Sequence, residues 1–184
     1  MEYFILELDK AYIPPKPINW YGKLDAKTLE GTESYQLPKH MVFQVEQHMK
    51  MVWTDIIMYP RFLVSKRAKE VIELYEPRIQ FVRVIFSDKK KKRSNPYFIP
   101  SLLGVPALTE NSKFNLNRSV IYQAEVDGGI MKDRAIARVT NVKQSNCILV
   151  RLDLAESLLT YCSIGIGLRE TNTVMKNKSE RSRF

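Results

Sequence analysis

The sequence predicts an α+β fold in which mixed or antiparallel sheets carry two short amphipathic helices, each within a strand–helix–strand unit. Two segments have the order strand, cap, helix, strand, one over residues 61–86 and one over residues 147–168. Most of the remaining sequence alternates apolar and polar residues and is rich in β-branched and aromatic types, which is typical of strands. The 184 residues, 45% of them hydrophobic, are enough to bury a core without disulfides or metals.

The N-terminal segment Tyr3–Leu8 predicts the first strand, with its even-numbered positions on one face. Prolines at 14, 15 and 17 exclude regular structure after it, because proline fixes φ and lacks a donor. Residues 9–20 are therefore expected to be extended or turning.

The segment from Met41 to Trp53 alternates apolar and polar residues, with Gln47 as the exception. A half-buried strand or hairpin is predicted on this pattern. A helix is the alternative, because Met, Gln, Glu and Lys all favour helices.

The first strand–helix–strand unit begins with an apolar run at residues 61–64. Ser65 is a good N-cap because its hydroxyl can accept an unpaired backbone N–H. The apolar face of the predicted helix is formed by Ala68, Val71, Ile72 and Tyr75. Pro77 ends the helix, and residues 79–86 predict a central strand that is apolar on both faces.

The second unit repeats this order, beginning with a strand over Cys147–Val150. Asp153 is predicted to cap the helix, with Glu156 in capping-box position. The apolar face is formed by Ala155, Leu158, Leu159 and Cys162. Gly165 suits the helix exit, and a short strand follows at 166–168. The two units align without gaps, Ala68 upon Ala155, which indicates a shared geometry.

Between the two units the sequence is mostly β in character. Residues 96–103 contain Pro100 and predict an edge strand or an irregular segment. A short strand is predicted near 105–109, and alternation over 120–126 predicts another. Asp127-Gly128-Gly129 is a turn signal, after which 135–142 is expected to return as a strand.

Residues 171–184 are polar and basic without an apolar period, which predicts a flexible basic tail. The chain is therefore divided into an N-terminal strand with an irregular proline-containing segment (1–40), an α+β domain (41–170) and the tail. The first two are expected to fold as one globular unit.

The formal net charge of +9 raises nucleic acid, membrane surfaces and acidic proteins as partners. No apolar run approaches the ~18 residues that span a bilayer, and no basic stretch precedes an apolar one at the N-terminus. Two cysteines exclude a disulfide scaffold. We expect a soluble, cytoplasmic protein with reduced thiols and no membrane partner.

Catalytic and metal-binding patterns are missing from the sequence. It contains no glycine-rich nucleotide loop and no nucleophile-elbow motif. His40 and His48 lie eight residues apart with no cysteine nearby, which is not a zinc spacing. Cys147 and Cys162 occupy apolar positions, where buried structural thiols are favoured over reactive ones. We predict no catalytic residue, metal or cofactor, and hence no enzyme.

Basic residues begin the first predicted helix, an order that opposes the helix macrodipole. These are Lys66, Arg67 and Lys69, with Arg61 just upstream. Glu70 and Glu73 follow Lys66 and Lys69 at i+4 spacing, which favours exposed ion pairs over paired acid–base catalysis. Two interpretations of the basic turn stay open: packing offsets its small cost, or the turn presents positive charge to an anionic partner.

The strongest local charge feature is a run of five cations: Lys89, Lys90, Lys91, Lys92 and Arg93. It lies between a predicted strand and a proline-broken segment, where a loop is expected. A solubilising loop that flanks an aggregation-prone strand is one interpretation. A phosphate-contacting site is the other, although no interleaved aromatic residues accompany the run.

Three segments together carry a family resemblance. They are RFLVSKRAKEVIELYEPRIQFVRVIFSD at 61–88, FNLNRSVI at 114–121 and ILVRLDLAESLLTYCSIGIGLRE at 148–170. The sequence resembles a bacterial immunity-protein family of polymorphic toxin systems, the eleventh in the usual numbering, formerly a domain of unknown function. The resemblance covers about residues 40–170. It implies a cytoplasmic, non-enzymatic α+β protein that binds a cognate toxin domain and blocks it.

Two functional hypotheses follow. The first is neutralisation of a cognate toxin domain by occlusion, using aromatic and basic anchors. The candidate anchors are Trp20, Tyr21, Trp53, Arg61, Lys66, Arg67 and Lys69. Because immunity proteins against cationic nucleases tend to be acidic, this chain is expected to face a toxin with an acidic or neutral active-site surface. The alternative is nucleic-acid binding through the basic loop and tail.

The excess charge is local. The run Lys89–Arg93 contributes five positive charges, and the tail contributes four cations against Glu180. The rest of the chain is nearly neutral, which weakens the nucleic-acid hypothesis. Replacing the loop cations and deleting the tail is expected to leave folding nearly intact.

Overall fold

The computed structural model describes residues 1–21, 23, 41–143 and 146–175, and it confirms the α+β fold. The helices within these ranges are α1 (Lys66–Tyr75), α2 (Gly128–Met131) and α3 (Leu152–Tyr161). The strands are β1 (Tyr3–Leu8), β2 (Met41–Gln44), β3 (Ile56–Ile57), β4 (Leu63–Ser65), β5 (Phe81–Asp88), β6 (Arg93–Pro100), β7 (Gly104–Val105), β8 (Lys113–Phe114), β9 (Ile121–Gln123), β10 (Glu125–Asp127), β11 (Ile136–Val139), β12 (Ile148–Arg151), β13 (Ile166–Glu170) and β14 (Asn172–Val174).

The chain divides into two compact units, each built from segments that are not contiguous in sequence. Unit 1 comprises residues 1–7, 102–157 and 168–184, and unit 2 comprises residues 8–101 and 158–167. The predicted boundary at residue 40 lies at the end of a stretch, 24–40, outside the described ranges. Of the predicted flexible tail 171–184, residues 172–174 form strand β14, which pairs with β10, and residues 176–184 lie outside the described ranges.

Unit 2 contains a five-stranded mixed sheet in the order β2-β5-β6-β4-β3. Strand β2 runs parallel to β5, and the other neighbours are antiparallel. The β5–β6 hairpin keeps an unbroken register from Phe81 opposite Pro100 to Asp88 opposite Arg93. One face of this sheet buries the core of the unit, whose members are Met41, Phe43, Val45, Ile57, Leu63, Val84, Phe86, Tyr97 and Ile99.

Unit 1 contains a five-stranded sheet in the order β13-β1-β12-β11-β7. Two small ladders accompany it, a parallel pair of β10 with β14 and an antiparallel pair of β8 with β9. Its core includes Tyr3, Ile5, Val126, Met131, Val139 and Leu149. Each unit thus has its own sheet and its own apolar core.

The first strand–helix–strand unit forms as the sequence predicts. The Ser65 hydroxyl accepts the amide N–H of Ala68 at 3.1 Å, which confirms the N-cap. Ala68, Val71 and Ile72 are buried, and Tyr75 is half-buried at the last helical position. The following strand differs in detail, because β5 buries Val84 and Phe86 while its other face is only partly covered.

The second unit forms with two corrections. Asp153 lies inside the first turn of α3, not at its N-cap, and forms two hydrogen bonds with Arg151 at 2.8 and 2.7 Å. The guanidinium lowers the pKa of this carboxyl. The buried positions are Leu154, Ala155, Leu158 and Cys162, whereas Leu159 is exposed. Three of the four predicted positions are therefore buried, and Leu154 takes the place of Leu159 on the buried face. The positive φ of Gly165 agrees with the predicted helix exit.

The shared geometry of the two strand–helix–strand segments extends to the sheets that contain them. In unit 2, β6 lies between β4 and β5, and β3 flanks β4. In the other sheet, β1 lies between β12 and β13, and β11 flanks β12. In both sheets one strand therefore lies between the strand before the helix and the strand after it. In unit 2 this middle strand is β6, which follows the segment in the chain, and in the other sheet it is β1, from the N-terminus.

Four predicted elements near the sheets differ from the structure. Strand β1 is confirmed but buries Tyr3, Ile5 and Leu6, because it is an interior strand and both of its faces are covered. Strand β2 ends at Gln44, and Met49 is 98% exposed, so the alternation predicted up to Trp53 stops early.

The other two differences concern β6 and the turn at 127–129. Strand β6 is not an edge strand, since β5 and β4 pair with it on both sides, although its ladder with β4 involves only Tyr97 and Phe98. The Asp127 turn signal begins the short helix α2, whose first turn it caps by accepting the Gly129 N–H at 2.9 Å. Strand β11 pairs with β12 and β7, so it does not return along β9 or β10.

Candidate functional site

Three aromatic side chains of unit 2 form a surface group that we call the aromatic cluster: Trp20, Tyr21 and Tyr59. The Trp20 ring packs edge to face on both tyrosines, with ring centroids 6.0 Å from Tyr21 and 5.5 Å from Tyr59. Trp20 is half-buried and packs against the core of the unit. Tyr21 and Tyr59 are 83% and 65% exposed. The cluster therefore presents two tyrosine rings on a tryptophan base that the core holds in place.

The sequence predictions include Trp20 and Tyr21 but not Tyr59. Tyr59 lies outside any periodic segment and precedes Pro60, so neither hydropathy nor spacing distinguishes it. Only the fold brings it to Trp20, 39 positions away in the chain. Tyr and Trp are enriched among the residues that dominate binding energy at interfaces, because they bury a large area at low entropy cost.

A ladder of backbone hydrogen bonds places the segment before the cluster beside the central hairpin. Ile18 donates to the Gln44 carbonyl at 2.7 Å, and Glu46 donates to the Lys16 carbonyl at 2.8 Å. On the other side, Val45 donates to the Ser87 carbonyl at 3.1 Å. Residues 16–18 therefore lie two strand spacings from the end of β5.

The five cations at 89–93 form the exposed end of the β5–β6 hairpin, which we call the basic tip. The predicted loop is confirmed for residues 89–92, and Arg93 begins β6 opposite Asp88. All five side chains are exposed. The tip thus extends from a regular hairpin of eight paired positions on each strand.

The turn of the basic tip is fixed by Asp88. Its Oδ1 accepts the Gln47 side-chain amide at 2.8 Å and the backbone N–H groups of Lys90 and Lys91, each at 3.1 Å. The Gln47 hydrogen bond is the largest cause of a lowered Asp88 pKa, and the backbone donors add to it. Gln47, which breaks the hydrophobic alternation in the sequence, is the residue that ties this turn to the neighbouring segment.

The basic residues of α1 occupy different environments. The Lys69 ammonium contacts the Glu73 carboxylate and lies 5.1 and 5.6 Å from the ring centroids of Phe81 and Phe98. Lys66 is exposed and lies 3.7 Å from Glu70. Both predicted i,i+4 pairs are therefore present, but only Lys69 is held by surrounding groups on several sides.

The remaining two predicted basic anchors are Arg67, in the first turn of α1, and Arg61, ahead of β4. Arg67 is exposed, and its guanidinium donates to the Tyr161 carbonyl at the long distance of 3.5 Å. Arg61 is half-buried ahead of β4. The side chains of Lys66 and Arg67 thus remain the most exposed cations of this group.

Trp53 packs within unit 2. It is half-buried, and its ring lies 6.4 Å from that of Tyr97 at a tilt of 31°. The Tyr97 hydroxyl donates to the Thr54 carbonyl at 2.7 Å, and burial raises the Tyr97 pKa. The interactions of Trp53 are therefore with the core, in contrast to those of Tyr21 and Tyr59.

Reactive groups are few within the described ranges. No group of three or more His, Cys, Asp or Glu side chains there is arranged to hold a metal ion. Cys147 and Cys162 are buried and not joined in a disulfide, as predicted, and burial raises the pKa of each thiol to about 12. His48 Nδ1 accepts the Lys50 N–H at 3.1 Å, and His40 lies outside the described residues.

A small cavity of about 160 Å³ lies in unit 1, between the ends of β9 and β13. Its lining is Tyr122, Gln123, Ala124, Arg169, Glu170, Thr171 and Asn172. Substrate and cofactor sites usually enclose roughly 300–1,000 Å³ with apolar walls.

Across the described residues, no helix has both the length and the apolar character needed to cross a membrane.

A comparison with protein families identifies a related family. The family model described as "Immunity protein family (Imm11)" matches residues 5–139, well over half of the chain. The matched range differs from the segments that carry the resemblance in sequence: it includes the N-terminal residues from position 5 and stops before β12. No curated protein matches the chain.

Proposed function

The chain belongs to the Imm11 immunity protein family, and on that premise we propose that it binds one cognate toxin domain and neutralises it by covering the toxin's active site. The family gives the role in immunity and the general class of partner, a protein toxin. Binding by occlusion, without chemistry on the toxin, is our extension of that role. The protein would act in the cytoplasm of the cell that makes the toxin.

The aromatic cluster is the observation that supports this proposal most directly. Tyr21 and Tyr59 are exposed, while Trp20 holds them in fixed edge-to-face contact. Aromatic pairs of this geometry contribute about 0.5–1.5 kcal/mol beyond their burial, and they are pre-formed before the partner arrives. Two large exposed rings held next to each other form an apolar surface patch, and such patches mark protein interaction sites.

Immunity proteins of this kind are usually encoded next to their toxin, so the test is protection from a toxin domain encoded by the neighbouring gene. Bacteria that express that domain from an inducible promoter should grow only when this chain is co-expressed. The tagged chain should also retain the toxin domain on affinity resin at physiological salt. If the cells die despite co-expression, and the two proteins elute separately, the proposal is wrong.

The basic tip favours nucleic-acid binding as a second candidate function. Its five exposed cations suit phosphate contacts, whose affinity falls steeply with salt. A gel shift with duplex DNA and with RNA at physiological salt distinguishes the candidates. Binding to either nucleic acid, together with failure to protect against the toxin, would favour the second candidate.

A further inference from the structure

The backbone of the basic tip is held by hydrogen bonds on both sides of the turn. The β5–β6 register is continuous up to the Asp88–Arg93 pair. Asp88 then holds the turn through the Lys90 and Lys91 amides and ties it to Gln47. A backbone turn that is already ordered loses less entropy when a partner binds it. This order indicates a contact surface.

The positive charge of the tip is not neutralised from within it. Asp88 is the only acidic residue between Ser87 and Asn95, so it offsets one of the five cations and leaves the segment 88–93 with a net charge of +4. The tip accounts for five of the nine net positive charges of the chain. The field outside the hairpin end is therefore strongly positive, while most of the chain is nearly neutral.

The tip and the aromatic cluster lie close enough to belong to one interface. Neighbouring strands are ~4.8 Å apart, so Ile18 and Ser87 are separated by roughly 10 Å across the ladder. The segment at residues 16–18 runs antiparallel to β2 and hence to β5, so Tyr21, three residues after Ile18, and Lys89, two residues after Ser87, extend in opposite directions. At about 3.3 Å per residue, these two offsets add to at most roughly 17 Å along the strands. A standard interface covers about 800 Å² per partner, or roughly 30 Å across. Both features fit within that span.

The exposed side chains of β2 and of the segment after it are of mixed chemical character. On β2, Val42 is 60% exposed on the face opposite the core. The exposed Glu46 lies beyond it, hydrogen-bonded through its backbone to Lys16. Glu46 precedes Gln47, which contacts Asp88, so a carboxylate next to the tip disfavours a continuous phosphate track there. Charged and apolar side chains on one sheet match the mixed character of protein interfaces.

We propose that the basic tip is the electrostatic half of the toxin-binding face and engages an acidic surface of the toxin domain, beside the contact made by the aromatic cluster. The inference rests on the proposed function and adds the chemistry of the partner. Cations at the edge of an interface mainly accelerate association, because they attract the oppositely charged partner over distance. The tip should therefore govern the association rate and its salt dependence.

The test compares two variants with equal loss of charge. The tip variant is Lys90→Gln, Lys91→Gln and Lys92→Gln, which keeps the backbone donors to Asp88. The control variant is Lys113→Gln, Lys132→Gln and Lys143→Gln, three exposed lysines of unit 1. Association with the adjacent-gene toxin domain is measured by surface plasmon resonance between 20 and about 300 mM salt, within the range where screening changes strongly. Thermal melting checks that both variants fold.

The tip variant should associate about tenfold more slowly at low salt and lose most of the salt dependence, while the control variant changes the rate less than twofold. Equal rates in the two variants would overturn the inference and leave the proposed function intact. Unchanged toxin association, with loss of duplex DNA or RNA binding in the tip variant, would overturn it in favour of a nucleic-acid site. Absence of toxin binding by the unmodified chain would reject both proposals.

Discussion

The Asp55 carboxylate accepts a hydrogen bond from the Ser65 hydroxyl at 2.7 Å, and that hydroxyl oxygen in turn accepts the Ala68 amide at 3.1 Å. The backbone reinforces the pair, since Ser65 N–H donates to the Asp55 carbonyl at 2.8 Å. The second carboxylate oxygen accepts the Ile164 N–H at 3.1 Å. A buried acid ten residues earlier therefore fixes the capping residue of α1.

Ser65→Ala should lower the free energy of unfolding by about 1–2 kcal/mol, because it removes a helix cap and leaves the buried Asp55 carboxylate with one donor fewer. Urea denaturation followed by circular dichroism measures the change. Ser101→Ala, at an exposed serine of the same unit, is the matched control and should change stability by less than about 0.5 kcal/mol. Equal small effects would show that the Asp55–Ser65 pair does not contribute to stability.

Lys69→Gln should destabilise the protein by about 1 kcal/mol, since the ammonium lies over two aromatic rings and beside Glu73. Lys66→Gln is the natural comparison, because its side chain is 73% exposed and its ion pair is long at 3.7 Å. Exposed pairs of this kind contribute little. Chemical denaturation of both variants under one condition should rank Lys69 well above Lys66, and the reverse order would contradict the structure.

Tyr59→Ala should weaken binding to the toxin domain at least tenfold, because it removes an exposed ring that Trp20 already holds in position. The melting temperature should stay close to that of the unmodified chain. Tyr122→Ala removes a ring of similar exposure, 68% against 65%, from unit 1. Isothermal titration calorimetry should show normal affinity for that control. Normal affinity of the Tyr59 variant would remove the aromatic cluster from the interface.

The Asp88 carboxyl should make stability depend on pH in the acidic range. Its folded-state pKa lies below the ordinary value of 3.8, so the unfolded chain binds a proton more readily. The stabilisation is complete above the unfolded pKa and is lost as the pH falls through the folded one. In Asp88→Asn this contribution is absent. The stability difference between the two proteins should narrow as the pH is lowered from 6 toward 2, as measured by urea denaturation, and a constant difference would disprove the assignment.

Both thiols should be unreactive in the folded protein. Burial raises the pKa of Cys147 and of Cys162 to about 12, so very little thiolate exists at pH 8. Ellman's reagent should label neither thiol quickly in buffer and both in 6 M guanidinium. Rapid labelling of one thiol without denaturant would show that its surroundings open readily.

The local elements were accessible from sequence because their signals are local. The Ser65 cap, the helix face of Ala68, Val71 and Ile72, and the turn at Gly165 each depend on residues within a few positions. The errors lie where neighbours decide burial. Leu159 matches the apolar period of α3 but is 46% exposed, whereas Leu154, which lies off the predicted face, is fully buried.

The residues of the proposed site also fall into those recognisable from the sequence and those identified only by the fold. The cations at 89–93 and the aromatic pair Trp20 and Tyr21 stand out in the sequence because charge runs and adjacent aromatics need no partner to be seen. Tyr59, Gln47 and Asp55 carry no such signal, since each acquires its role through contacts with distant residues. By itself the sequence determined the α+β class, the Ser65 cap and apolar face of α1, most of the apolar face of α3, and the concentration of excess charge at residues 89–93 and 176–183. Only the tertiary structure decided that Tyr59 joins Trp20, that Gln47 and Asp88 order the basic tip, and that β6 lies inside its sheet, because strand pairing joins residues far apart in the chain.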